Sequence, residues 1–496
     1  MERSTLQPPQ SAPYHATSFP SPSLLSRPLS PTPTSATGIV VFSGGSAANS
    51  LVDVFEDVRA ANSCGLSYVI PISDNGGSTS EIIRVFGGPG IGDVRSRLVR
   101  LIPEGPETSA IRLFFNHRLP KTYRDAREEW FEILESSHSL WEGISSPKKE
   151  LIRSILNSFN LEVIKRMRPT SRFDYSGASI GNLFLTGARL FTGSFEAAIC
   201  LLSSICAVSD KVAVLPALNS NFANHIAAGL ADGTVITGQN DISHPSAPSA
   251  AVPGSGTNTS GVQTPAVQHH SDEMDEHDKV EDANLPGSLP ALRRQAIAFS
   301  KQHEEDLPAR IERLWYINPY GQEIRVPANP RVLDALRTSN IVVYSIGSLF
   351  TSLIPNLVLK GVGELIASRG IRNKILILNG TTDRETGPST HPFTALDFVG
   401  AIANACADSR GLPRPGEDEY HHYVTHVIYL ESPTIPKVDK QHFATLGIDA
   451  TRLYGTKASE GKSTRYDGKA LTGALEAIIG RRDRRPDRSR RNTLDG

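Results

Sequence analysis

"GIVVFSGGSAANSLVDVFEDVRAANSCGLSYVIPIS", residues 38–73, decides the fold. It opens with a short β-branched run, GIVVFS (38–43), that ends in Gly44-Gly45. Residues 47–61 then place apolar side chains at helical spacing, and LSYVIPIS (66–73) is a second apolar run. Strand, glycine-rich turn, helix, strand is the signature of parallel α/β architecture. Strands without polar alternation suit a sheet covered on both faces.

The same rhythm continues downstream. KVAVLPA, NIVVYSIG, NKILILNG and THVIYLES read as strands, NPRVLDALRTS and GKALTGALEAIIG as helices, and HIAAGLADGTVITGQ as a hairpin turning at Asp232-Gly233. The expected fold class is α/β: a Rossmann-like, mostly parallel sheet with helices on both faces. We expect one domain over 38–480, interrupted by a helical insertion at about 118–170 and by a disordered, Ser/Pro/Gly-rich insertion at 243–290. Residues 1–37 read as a disordered Ser/Pro leader, with a transit peptide as the alternative, and 481–496 as a basic tail.

The chain has 496 residues, 39% hydrophobic and 21% charged, with a net charge of −1. That balance provides no global field for nucleic acid or a membrane surface, so neither is expected as a partner. No apolar run reaches the ~18 residues a membrane-spanning helix needs. The four cysteines show no metal spacing and are too few for a disulfide framework, which points to a reducing, cytoplasmic setting.

Ligands of open parallel sheets bind beyond the carboxyl ends of the strands, and several loops fall there. In SGGSAAN (43–49), Gly44, Gly45 and Ser46 suit a phosphate at a helix N-terminus, yet G-x-G-x-x-G and the P-loop lysine are absent. In SDNGGSTS (73–80), Asp74 is a candidate cation ligand, and Asn75, Gly76, Gly77 and Ser78 offer oxygens, amides and hydroxyls. The same residues also suit a plain turn and a helix cap. GGPGIGDVRSR (87–97) sets Asp93 and Arg95 after glycines. Asp93 reads as a second Mg²⁺ carboxylate or as an N-cap, and Arg95 as an anion ligand or a surface cation. YSIGSLFTSLIPN (344–356) offers Gly347, Ser348 and Thr351 at a helix start, and NGTTDRETG (379–387) repeats the arrangement from Asn379. GASIG (177–181) matches the nucleophile-elbow string but lacks a preceding strand and a partner histidine.

Taken in order, VVFSGGSAANSL, VIPISDNGGSTSEI, GDVRSRLVRL, GASIGNLFLTGARLFTGSFEAAI, LADGTVITGQNDIS, SIGSLFTSLIPNLVLKGVGELI and LNGTTDRETG resemble the family that joins 2-phospholactate transferase (CofD) with the YvcK-type nucleotide-sugar-binding proteins, and are closer to the YvcK branch. The resemblance runs from about 38 to 407 and implies a Rossmann-like core. It implies either binding of a nucleoside-diphosphate-linked ligand or transfer of a phospholactate-type group from a nucleoside diphosphate ester with Mg²⁺. Carried over by position, Asp74 and Asp93 become catalytic and metal candidates, and Gly44, Gly45, Ser46, Asn182, Gly347 and Ser348 line the nucleotide crevice. Asn182 also reads as a capping asparagine. Family members often form homodimers.

The chain departs from the family pattern. Three glycines followed by Thr-Gly become Ser43-Gly44-Gly45-Ser46-Ala47, an Asp-Asp pair becomes Asp74-Asn75, and the histidine of Gly-His-Ser-x-Gly-Asn becomes Ala178. Asn75 keeps an oxygen but loses a charge, which weakens an Mg²⁺ site. Nucleotide binding survives such changes more easily than transfer chemistry. The first expectation is therefore a nucleotide-sugar-type binding protein or metabolic regulator, the second an active transferase. The third is an interaction protein on an inactive fold.

Overall fold

The computed structural model describes residues 38–44, 47–73, 76, 78–167, 172–243, 289, 292, 306–432, 435–457 and 464–480. Its centre is a seven-stranded sheet. In chain order the strands are β1 (Gly38–Phe42), β2 (Gly65–Ile70), β3 (Val212–Pro216), β4 (Ile341–Tyr344), β5 (Asn373–Ile377), β6 (His426–Leu430) and β7 (Asp449–Leu453). They lie in the order β7-β6-β5-β4-β1-β2-β3, and every adjacent pair is parallel. This is the Rossmann-like α/β sheet expected from the sequence, with helices packed around it.

The apolar runs explain the centre. Val40, Val41 and Phe42 of β1 and all four residues of β4 are buried, so both faces of these strands are covered. The Val52–Ala61 helix returns the chain from β1 to β2 by burying Val52, Val54, Phe55 and Val58, while Asp53, Glu56 and Arg59 face outward. Asn62 ends it, its side-chain amide donating to the Val58 carbonyl at 2.8 Å.

Between β2 and β3 the described residues form helices and one isolated bridge, Arg118 to Ser179. Ser146–Arg166 packs on Ile180–Thr192 at Gly187, where a Cβ would lie 2.8 Å from the Ile155 carbonyl and 2.9 Å from Phe159 Cβ. Between β3 and β4 a second, antiparallel sheet forms from strands His225–Leu230, Val235–Thr237, Ile311–Ile317 and Glu323–Ile324. Its first hairpin turns at Asp232-Gly233, with Gly233 at φ +87° and Asp232 Oδ1 accepting from the Thr234 amide. His225–Leu230 pairs with strands on both sides of residues 244–305. The expected leader, most of the disordered insertion and the basic tail lie outside the described residues.

Candidate functional site

Reading along the sheet, chain order reverses between β1 and β4. That reversal is the switch point where an α/β sheet opens a crevice beyond its carboxyl ends. Ser43 and Ser345 are the first residues past the two strands. The Ser345 amide donates to the Phe42 carbonyl at 3.0 Å, and the Ser43 amide donates to the Val69 carbonyl at 3.2 Å. The hydroxyls of Ser345 and of Ser73, beyond β2, are buried without a hydrogen-bond partner among the described residues. Gly44 lies against the helix that follows β4: a Cβ there would fall 2.6 Å from Ser352 Oγ and 2.7 Å from its Cβ. The glycine is needed because two loops meet at the switch point.

The third loop is stitched to the first two. The Gly90 amide donates to the Ile72 carbonyl at 2.8 Å, and Asn49 Nδ2 donates to Ser96 Oγ at 2.8 Å. Asp93 sits in the first turn of the Gly92–Arg100 helix, whose N-cap is Ile91, so the N-cap alternative for Asp93 does not hold. Arg95 is no surface cation. It is buried, and it donates from Nε to Asn182 Oδ1 at 3.3 Å and from Nη1 to Asn116 Oδ1 at 3.0 Å. Asn182 is the third residue of its helix, with Ser179 as N-cap, so its side chain serves Arg95. Gly181 permits this approach, since a Cβ there would meet Arg95 Cγ at 2.8 Å. Ser179 is buried and its hydroxyl donates to the Phe115 carbonyl, which removes the nucleophile reading of GASIG.

Two further buried arginines underlie these loops. Arg97 is 1% exposed and donates to the Ala48 carbonyl at 3.3 Å and to Ser43 Oγ at 3.2 Å. Arg189 donates to the Gly87 carbonyl at 3.0 Å and to the Asn221 carbonyl at 3.3 Å. Gly88 (φ +99°) lies against it: a Cβ there would come within 2.5 Å of its Cζ. Burial lowers the pKa of Arg95, Arg97 and Arg189 to about 10, so all three remain charged at neutral pH. None forms an ion pair with a carboxylate of the described residues. Asp93 favours the charged form of Arg95 and Arg97 only through space.

On the other side of the crevice the donors are already engaged. Asn379 holds Gly347 in both directions: Oδ1 accepts from its amide at 3.0 Å, and Nδ2 donates to its carbonyl at 2.8 Å. Glu385, 1% exposed, accepts from the amides of Phe350 (2.8 Å) and Thr351 (3.0 Å) and from Thr351 Oγ1 (2.5 Å). Thr351 is therefore buried and bound to Glu385, and Asn379 shapes the β4 loop. Ser348 is the N-cap of the π-helical turn Leu349–Leu353 without a side-chain cap bond. Burial and the neighbouring Asp383 push the Glu385 carboxyl up to about 8, against the three donors that favour its ionised form.

Thus Gly44, Gly347, Ser348, Thr351 and Asn379 lie beyond the carboxyl ends of β1, β4 and β5, while Arg95 and Asn182 meet each other beside the Gly92–Arg100 helix that carries Asp93. Gly76 accepts from the Thr79 amide at the start of the Ser78–Phe86 helix. Gly45, Ser46, Asp74, Asn75 and Gly77, and the side chain of Ser78, lie outside the described residues. Among the described residues, no group of three or more His, Cys, Asp or Glu side chains is arranged to hold a metal ion. Sequence reasoning missed Arg97, Arg189 and Glu385. For Arg97 a signal existed: it falls three residues after Val94 and one before Leu98, on the buried stripe of its helix.

Known proteins share sequence and fold with this chain. An uncharacterised protein of Saccharomyces cerevisiae is 39% identical over 438 residues, covering 85% of this chain and 96% of that protein. The gluconeogenesis factor of Halalkalibacterium halodurans is 23% identical over 368 residues, 74% of this chain and 73% of its own. A crystal structure of a upf0052-family protein from Bacillus halodurans superposes with a TM-score of 0.52 at 19% identity, covering 88% of this chain and 99% of that one. No helix among the described residues is long and apolar enough to cross a membrane. The 2-phospho-L-lactate transferase CofD family matches residues 39–457, and the chain belongs to that family.

Proposed function

We propose that the protein binds a nucleoside-diphosphate-linked small molecule, a nucleotide sugar in the first instance, in the crevice between β1 and β4, and acts as a binding protein or metabolic regulator. One observation carries this reading: Arg95, Arg97 and Arg189 place three buried positive charges under the loops with no paired carboxylate among the described residues. Uncompensated buried charge is costly, and an anion above the loops offsets it. Buried hydroxyls of Ser73 and Ser345, without a partner among the described residues, add donors just past β2 and β4. The name gluconeogenesis factor, carried by bacterial relatives, supports a role in carbon metabolism. The unbridged buried thiols of Cys64, Cys206 and Cys406 support a cytoplasmic setting.

A second reading, group transfer from a nucleoside diphosphate ester, is favoured by the extent of the family match. It requires Asp74 and Asp93 to hold Mg²⁺, which would neutralise charge on a diphosphate leaving group. Calorimetric titration of the full chain with UDP-sugars, UDP and GDP, with and without Mg²⁺, separates the readings. Saturable binding without Mg²⁺ supports the binding protein. Binding that needs Mg²⁺ and is lost in Asp74→Ala or Asp93→Ala supports the transferase. Folded protein that takes none of these ligands sinks both.

A further inference from the structure

The Arg97 guanidinium bridges the two ends of the turn that follows β1. One arm reaches the Ser43 hydroxyl before the glycines, at 3.2 Å, and the other reaches the Ala48 carbonyl after them, at 3.3 Å. Its Cζ lies 4.6 Å from the centre of the Tyr68 ring, and its Nε has no partner among the described residues. Packed to 1% exposure, it cannot touch a ligand in the crevice, so its influence passes through the turn. A surface role needs no such burial, and a purely structural clamp needs no charge. Both Ser43 and Ala48 present neutral oxygens that an uncharged donor would satisfy. What the guanidinium adds is a full positive charge fixed beneath the turn in a water-poor setting, where charge acts more strongly than in water.

We propose that Arg97 is a positioning residue that sets the charge preference of the crevice, making it select a diphosphate over a single phosphate. This rests on the anion-binding reading above, but not on which nucleoside is attached. A residue that only held the turn together would, when lost, weaken all anions alike. A fixed charge favours the anion with more charge, so its loss reduces pyrophosphate binding more than phosphate binding.

The test uses the full chain and two probes, inorganic pyrophosphate and inorganic phosphate, titrated calorimetrically at neutral pH and low salt. Variants are Arg97→Met, Arg97→Gln, Arg97→Lys and, as a control, Arg100→Gln, which removes an exposed charge from the same helix, one paired with Asp53. We expect wild type to prefer pyrophosphate. Arg97→Met should lower that preference at least ~tenfold, Arg97→Lys should restore most of it, and Arg100→Gln should leave it within about twofold. If circular dichroism shows Arg97→Met unfolded, Arg97→Gln, which keeps a donor without the charge, supplies the reading. A neutral variant with the wild-type preference overturns the proposal, as does a wild type with no preference or no binding of either probe. Wild type that binds pyrophosphate but no nucleotide leaves this inference standing and sinks the nucleotide reading. Nucleotide binding together with an unaltered preference in the neutral variants does the reverse.

Discussion

Glu385→Gln replaces a carboxyl that holds the helix start beyond β4 through the Phe350 and Thr351 amides and the Thr351 hydroxyl. In the folded protein burial, aided by Asp383, raises its pKa from 4.5 to about 8. A raised carboxyl is protonated in the folded state at pH values where the unfolded chain has already lost the proton. Its contribution to stability is therefore complete below about 4.5, declines as pH rises, and is gone above about 8. At ~1.4 kcal/mol for each tenfold change in proton affinity, a shift of this kind amounts to several kcal/mol between the two limits, shared by Glu385 and the neighbouring Asp383. Glutamine keeps one acceptor oxygen for the amides and does not titrate. Urea unfolding of both proteins at a series of pH values, followed by circular dichroism, isolates the effect as the difference between them. Wild type should lose stability relative to Glu385→Gln as pH rises from about 4.5 to about 8, and the difference should level off above that. Parallel pH profiles, or a wild type gaining on the variant as pH rises, would refute the argument.

Further substitutions probe close contacts in the fold, two of them in the loops of the crevice. Gly44→Ala forces a Cβ to within 2.6 Å of Ser352 Oγ and should cost about 1–3 kcal/mol. Ser352→Gly should relieve part of that cost, and a double-mutant cycle additive within ~0.5 kcal/mol would mean that the two loops do not meet there. Asn379→Ala leaves both backbone groups of Gly347 unpaired and should cost roughly 1–3 kcal/mol. Hydrogen exchange in the β4 loop should quicken, and unchanged exchange would argue against the bridge. Gly363→Ala places a Cβ 2.0 Å from the Cys406 carbonyl oxygen, backbone against backbone. Soluble, wild-type-like protein from this variant would contradict the packing of the Val362–Ala367 helix against Ala395–Ser409.

The central sheet was legible because β1 to β6 contain apolar runs that only a strand covered on both faces requires. β7 was not: DATRL is half exposed and polar, as an edge strand is, and nothing local distinguishes it from a loop. The Ala395–Ser409 helix, apolar on most sides, was not singled out either. Glycines and serines beyond the strands pointed to the crevice, because a close approach such as that of Gly44 to Ser352 constrains residue type directly. The charges beneath it were hidden. Arg97 and Glu385 belong to residue types usually solvated, and their burial follows from contacts made across 54 positions to Ser43 and 34 to Thr351. Thr351 and Asn379 looked like ligand donors for the same reason. Their chemistry suits a phosphate, but each already has a protein partner that lies distant in sequence.

The arrangement of charge also bears on the metal. Asp93 is the carboxylate on the arginine side of the crevice, and the positive charges of Arg95 and Arg97 act on it through space. A dication brought to Asp93 meets repulsion from both, and Asn75 supplies an amide where the family pattern has a second carboxylate. On the proposed reading, three guanidinium groups would supply the charge neutralisation for which a diphosphate otherwise recruits Mg²⁺. Complexing the ligand with Mg²⁺ in solution reduces the negative charge those groups attract. The affinity for UDP should thus change less than ~tenfold on adding Mg²⁺, or fall, and it should weaken with rising salt, as binding dominated by fixed charge does. Calorimetry across a salt series with and without Mg²⁺ decides the point. A gain well above tenfold with Mg²⁺, abolished by Asp93→Asn, would mean that the carboxylates govern the crevice and would bring the transferase reading to the front.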